Sequence, residues 1–423
     1  MDRDYLLKVV KELISIPTVN PPGERYEEVS TYLRDSMREL GLRVEVVKVP
    51  DNIVEQYYSW ARGYPRFIVI GRLGKGGPVL HFNGHYDVVP PGQGWSFDPF
   101  KPRLLEGRVY GRGASDMKGG IAAILAALKA LAEYDALPGN GTVEAAFTPD
   151  EEVGGETGVK YMLDTGLAKP DYVVVAEPST SEKIWIGNRG AVWGVVKIRG
   201  RQAHGSYPWL GLNAFEAMSE IAVWLKKNYV PSLSRKRTSL PLDDPRASSP
   251  TLTMGGEVRG GAKTNIVPGY YEFSIDRRVV PGERLTDVEE ELKRAVEAAA
   301  RETGLLSQGF QVAYETTGKA EAAWIPQNHP FVELAASAIR DTLGIEPKRT
   351  ICVGGLDTRY YQERGIPAIT YGPGAPGAAH MPDEYVPVAE MEKTARVYVA
   401  LALRILERAG SGPAGLHEGS SVV

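Results

Sequence analysis

The segment TPDEEVGG, residues 148–155, follows the apolar run Val143–Phe147 and sets Asp150, Glu151 and Glu152 side by side. Three adjacent carboxylates repel one another, and a solvated turn is the plain explanation for them. The alternative is a cation seated where a buried strand ends, bound by one carboxylate while its neighbour moves protons. Other segments carry the same residue types at the same kind of place. Val79–Phe82 runs into Asn83-Gly84-His85-Tyr86-Asp87, Tyr172–Ala176 ends at Glu177, and Ala368–Tyr371 leads through a Gly/Pro-rich loop to His380. Asp116, in GRGASDMKGG, stands just before a long Ala/Leu-rich stretch.

His85, Asp116, Glu152, Glu177 and His380 supply the five ligands that two divalent ions with a shared bridge require. Imidazole nitrogen and carboxylate oxygen suit zinc, with cobalt or manganese able to substitute. Two-metal hydrolases hold their ions about 3.5–4 Å apart, sharing a carboxylate and a water. Asp87, two residues beyond His85, is suited to hydrogen-bond the ring's second nitrogen and fix its tautomer. Consecutive side chains project differently, so Glu152 can ligate while Glu151 stays unbound. Glu151 is then the general base, taking a proton from the water and returning it to a leaving nitrogen. Asp150 receives no role.

Taken singly, these residues have blander explanations. A lone loop carboxylate is usually solvated, and Asp116 could cap the helix that opens near Met117. Glu177 before a proline at a strand end is harder to dismiss, because a buried charge is costly without a partner. The glycines of GRGASDMKGG match neither phosphate-loop nor dinucleotide spacing. His81 lies inside a strand and reads as structural; His329 and His417 read as surface residues. His204, in RQAHGSYP, is a turn histidine on composition alone.

The elements that must position this chemistry come in two textures. Phe67–Ile70, Val79–Phe82, Val143–Phe147 and Tyr172–Val175 are apolar runs of strand length, and Met117–Tyr134 is strongly helical. Strands alternating with helices predict an α/β layer with a mixed, mostly parallel sheet, whose ligand site lies beyond the carboxyl ends of the strands. From about residue 188 the order becomes β-α-β-β-α-β: Val192–Arg199, Leu212–Lys227, Thr251–Val258, Tyr270–Val279, Leu285–Thr303 and Phe310–Glu315. That is a split βαβ, ferredoxin-like α+β domain inserted into the first. The expected division is residues 1–187 and 318–423 for one domain and 188–317 for the insert. Helix Phe331–Leu343 and the run Ala368–Tyr371 belong to the first domain, and the tail from Ala409 is expected to fray.

With 423 residues and a net charge of −4, the chain has core enough for two domains and no basic face for nucleic acid. No apolar run approaches the roughly 20 residues that span a bilayer. The N-terminus, MDRDYLLKVVKELISIP, reads as an amphipathic helix and not a signal peptide. Cys352 is the single cysteine, which excludes an intrachain disulfide and a thiolate zinc site. A cytoplasmic location is the simple expectation.

HYDVVP, GRGASDMKGG, TPDEEVGG and AEPS, in that order and spacing, resemble the acetylornithine deacetylase, succinyl-diaminopimelate desuccinylase, aminoacylase and glutamate carboxypeptidase family of zinc amidohydrolases (peptidase family M20). The likeness runs from LISIPTVNPPGE to GAAHMPDEYV. It implies a zinc-exopeptidase-like catalytic domain with His85 and Glu177 on one ion, Glu152 and His380 on the other, and Asp116 bridging. It also implies that the insert is a lid and homodimerisation domain, and that His204 reaches the partner subunit's site to stabilise an oxyanion. Asn265, in KTNIVPG, resembles a substrate-contacting asparagine. Arg278, in SIDRRVV, resembles the lid arginine that clamps a substrate carboxylate, with Arg277 beside it as a competitor. In CVGGLDTRYY, Leu356 stands where many relatives carry Thr or Ser, so a substrate-side hydroxyl is missing, while Gly355 can still approach substrate through its backbone.

The sequence thus predicts a dimeric, metal-dependent amide hydrolase acting on a small substrate with a free carboxylate, either an N-acyl amino acid or a peptide cleaved at its C-terminus. A zinc aminopeptidase that recognises a free amine, and a metal-free binding relative, are the alternatives.

Overall fold

A computed structural model describes residues 1–133 and 140–410, with side chains described as far as residue 407. Tyr134, His417 and the tail from residue 411 lie outside the described residues. In chain order the strands that matter are β1 (Arg43–Lys48), β2 (Phe67–Lys75), β3 (Val79–His85), β4 (Gly141–Thr148), β5 (Tyr172–Val175), β6 (Lys183–Asn188), β7 (Gly190–Arg199), β8 (Thr251–Gly260), β9 (Tyr270–Val279), β10 (Gln311–Ala320) and β11 (Ala368–Thr370). The helices used below are α1 (Arg3–Ser15), α2 (Gly119–Glu133), α3 (Ala214–Trp224), α4 (Leu285–Glu302), α5 (Pro330–Leu343) and α6 (Val388–Gly410).

The chain divides into two compact units. Met1–Ile186, Ile325–Thr350 and Leu356–Val423 form the first; Gly187–Trp324 and Ile351–Gly355 form the second.

Seven strands of a nine-stranded sheet lie in the order β1-β2-β4-β3-β5-β11-β6. Strands β4, β3, β5 and β11 are parallel to one another. The edges are antiparallel: β1 with β2, β2 with β4, and β11 with β6. The sheet is mixed, as expected, with its parallel strands in the centre. Part of the reason is connection length: a parallel return needs a crossover of about a dozen residues or more, and only residues 76–78 join β2 to β3. All eight residues of β4 are buried, as a central strand covered on both faces requires. Helix α2 is apolar almost all round and packs among α1 and α6. Helix α1 is amphipathic, burying Leu6, Val9, Val10, Leu13 and Ile14, and Asp2 caps its first turn. His329 is not a mere surface residue: it caps α5 by accepting the Phe331 N–H at 3.2 Å.

The second unit contains the β-α-β-β-α-β order read from the sequence. Its sheet runs β8-β9-β7-β10, every pairing antiparallel, with α3 and α4 packed on it around Val192, Val196, Ile221, Phe273, Ile275 and Val296. Strand β9 alternates strictly in its second half, burying Phe273, Ile275, Arg277 and Val279.

Candidate metal centre

The central strands of the first unit end where the ligand types begin. β3 ends on His85, β4 leads into Asp150–Glu152, β5 into Glu177, and the chain after β11 reaches His380. Asp116 comes from the kinked stretch before α2, with extended φ −122° and ψ 93° and a cis bond to Met117.

The seven first-unit residues expected from the sequence converge. His85 is buried, and its Nε2 lies 3.1 Å from Asp116 Oδ1 and 3.3 Å from Glu177 Oε1. His380 Nε2 lies 3.1 Å from Glu152 Oε1 and 3.3 Å from Asp116 Oδ2. Asp116 thus offers one oxygen to each imidazole. Ligand atoms of His85, Asp116 and Glu152 lie within 4.8 Å of one another, and so do those of His85, Glu151 and Glu177. The second group shows that Glu151 also borders the cluster, although no imidazole contact is assigned to it.

The electrostatics fit cations. Burial and the neighbouring Glu177 push the Glu151 carboxyl well above its usual range. Burial and Asp116 push Glu152 up to about 7 and Glu177 up to about 8. Burial opposes ionisation of Asp116 too, but the two imidazoles hold it far below the usual range. Contacts with Asp116 and Glu152 raise His380 to about 11. Burial works against a charged His85, yet Glu177, Asp116 and Asp87 outweigh it and raise the ring. Four acidic side chains around two imidazoles are a donor set of the kind that binds zinc, cobalt or manganese.

Asp87 approaches the second ring nitrogen of His85 in two ways. The His85 Nδ1 faces the main-chain oxygen of Asp87 at 3.0 Å, while the carboxylate is 3.5 Å away. The backbone contact is the shorter of the two. The carboxylate also accepts the N–H groups of Glu151 (3.3 Å) and Glu152 (3.2 Å) and the Asn20 side-chain amide (2.9 Å). Asp87 therefore sets the backbone of the acidic pair.

Asp150 proves to be part of the scaffold. It is buried at φ +67° and ion-paired with buried Arg66 at 2.9 Å. It also accepts from Asn20 (3.0 Å), Tyr26 (3.1 Å) and the Thr157 hydroxyl. Asn20 bridges Asp87 and Asp150 with one side-chain nitrogen. Nothing in its local sequence flagged it, although it lies in the LISIPTVNPPGE segment that carried the resemblance. His81 is structural, held between Glu144 (2.7 Å) and the Tyr361 hydroxyl (2.9 Å).

The remaining expected residues belong to the second unit. His204 is exposed, and its Nδ1 accepts the Ser206 N–H at 3.0 Å. Asn265 lies next to it, its carbonyl accepting the Gly205 N–H at 2.8 Å. Arg278 projects from β9, pairs with Asp276 at 2.9 Å and lies over Trp193 at 5.8 Å. Its competitor Arg277 is fully buried on the opposite face, bound to Glu283 at 2.7 Å and Tyr229 at 3.2 Å, and has no free hand for a ligand. Gly355 is half-buried in the segment that ends the unit.

Peptidase family M20/M25/M40 matches over residues 81–404. The succinyl-diaminopimelate desuccinylase of Nautilia profundicola is 29% identical over 404 residues, covering 93% of this chain and 97% of that one. That of Thioalkalivibrio sulfidiphilus is 31% identical over 358 residues, covering 79% and 86%. Among solved structures, the M20 family metallo-carboxypeptidase Sso-CP2 of Sulfolobus solfataricus superposes with a TM-score of 0.74 at 21% identity, covering 96% of this chain and 99% of that one. Among the described residues, no helix is long and apolar enough to cross a membrane. With a family match over most of its length and the ligand types gathered at the strand ends, the chain belongs to peptidase family M20/M25/M40.

Proposed function

We propose that the chain hydrolyses an amide bond with two divalent ions, acting on an N-acyl amino acid of the deacetylase or desuccinylase type or at the C-terminus of a peptide. The observation that carries this is Asp116, which gives one oxygen to His85 and the other to His380, each imidazole with its own second carboxylate. His85 and Glu177 would hold one ion, His380 and Glu152 the other, and Asp116 both. Zinc is the favoured metal, with cobalt or manganese as substitutes. Bound there, the ions would acidify a water and polarise the amide carbonyl.

This chain's residues supply the rest. Glu151 takes a proton from the attacking water and delivers it to the leaving nitrogen, so that water adds across the C–N bond to give an acid and an amine. His204 is the proposed donor to the carbonyl oxygen as it gains charge, contributed by the partner subunit of a homodimer. In support, its Nδ1 is occupied as an acceptor, so a neutral ring carries its proton on Nε2. Arg278 would clamp the substrate carboxylate, with Asn265 and the Gly355 backbone lining the rest. The second unit serves as lid and dimerisation domain.

A panel of N-succinyl and N-acetyl amino acids and end-blocked dipeptides, assayed with zinc, cobalt and manganese, tests this. Turnover is expected where the substrate carries a free carboxylate beside the scissile amide. Cleavage confined to peptides with a free amine would replace the proposal with an aminopeptidase.

A further inference from the structure

Glu384, four residues after His380, has a carboxylate buried to 0% exposure. Its Oε1 accepts the N–H groups of Ser115 (2.9 Å) and Asp116 (3.0 Å). Its Oε2 accepts the Gly113 N–H (3.1 Å) and Arg112 Nη1 (2.6 Å). Four donors on two oxygens fill the capacity of a carboxylate. Three of them are the backbone of the loop that ends in Asp116.

Arg112, equally buried, extends the tie. Its Nη2 donates to Pro91 O (3.1 Å) and His380 O (3.4 Å), and its Nη1 also reaches Met381 O (3.4 Å). The Gly111 N–H donates to the main-chain oxygen of Glu384 at 2.9 Å. One buried ion pair therefore joins the segment after His85, the loop of Asp116 and the loop of His380. Removing the carboxylate would strand three inward-facing N–H groups and leave a buried guanidinium without its counter-charge.

We propose that Glu384, held by Arg112, is a positioning residue for metal binding: it locks the loops of Asp116 and His380 into one frame, so that the two ion positions form together. This rests on the two-ion reading above and adds the group that builds the shared position. Glu384 touches neither imidazole and no ligand oxygen; it acts through the Asp116 peptide.

Glu384→Gln tests it at constant shape. A side-chain amide has one acceptor oxygen, so whichever way it turns, two of the four donors meet an NH2. Zinc is titrated calorimetrically into chelator-stripped full-length wild type and E384Q, and visible spectra of the cobalt-loaded proteins are compared. The expected result is a 10- to 100-fold weaker ion affinity with a changed cobalt spectrum. Wild-type affinities and spectrum in E384Q, even with a lowered Tm, would reduce Glu384 to a scaffold residue and overturn the proposal. Should E384Q not fold, Arg112→Gln keeps the three backbone donors and cuts the tie to the His380 carbonyl. It is expected to weaken ion binding likewise, and unchanged binding would overturn the proposal. Failure of the wild type to take up two ions would instead sink the two-ion reading.

Discussion

Glu151 and Glu152 are adjacent in sequence, yet only Glu152 meets an imidazole, at 3.1 Å from His380. The different duties proposed for them rest on the turn that carries them, whose two N–H groups are both held by Asp87. Glu151→Ala is expected to abolish turnover while leaving two ions bound by metal analysis. Loss of an ion in that variant would show that Glu151 is a ligand and not the base. Arg278 and Arg277 make a second contrast. Arg278→Ala removes the half-buried guanidinium beside Asp276 and Trp193, at about 1.5–3 kcal/mol for a hydrogen bond to a charged group. That corresponds to roughly a 10- to 150-fold loss in kcat/KM for substrates with a free carboxylate. Substrates whose carboxylate is amidated should lose little, and an equal loss for both would deny Arg278 its clamp.

At the scale of the element, much was legible because periodicity reports burial. Strand β9 has the bounds its alternation indicated, and the same alternation sends Arg277 inward and Arg278 outward. The consequence is testable: Arg277→Ala takes from Glu283 its buried partner but leaves Lys236 at 3.0 Å, and should cost stability by less than the about 3–5 kcal/mol of an unanswered buried charge. Denaturant unfolding of the variant measures this, while calorimetry should find ion affinity unchanged. The strand ends also marked the metal centre, since a charge following a buried apolar run is expensive unless something answers it. Hidden from the sequence were the partners supplied from afar. Asn20 meets Asp87 and Asp150 across 67 and 130 residues, and Glu384 meets the Asp116 loop across 268. No local pattern encodes such pairings, because they depend on sheet order. A mixed sheet was expected, but which strands lie side by side in it was hidden for the same reason. Asp150, which looked like a third member of an acidic run, is in fact the buried counter-ion of Arg66.

For the whole molecule, the acidic cluster links folding to metal and to pH. Glu152 and Glu177 have folded pKa values of about 7 and about 8, above the roughly 4.3 of an unfolded glutamate. A raised carboxyl binds more protons folded than unfolded, so stability falls as pH rises from about 4.3 through those values. His380, raised to about 11 by Asp116 and Glu152, acts in the same direction. Its stabilisation is fully present below the unfolded histidine value near 6.5 and is lost as pH climbs towards the folded one. Asp116, held low, stays ionised throughout and contributes no slope above about pH 5. Chelator-stripped protein should therefore lose Tm steadily between about pH 5 and pH 8. Divalent ions answer the same charges, so their binding should oppose that slope and add stability by mass action, about 2.7 kcal/mol at a free ion concentration of 100 Kd. Melting curves of stripped and zinc-loaded protein across that window measure both effects. A stripped protein whose Tm is flat or rising from pH 5 to 8 would mean that burial and the neighbouring Asp116 do not raise these carboxyls in the folded protein.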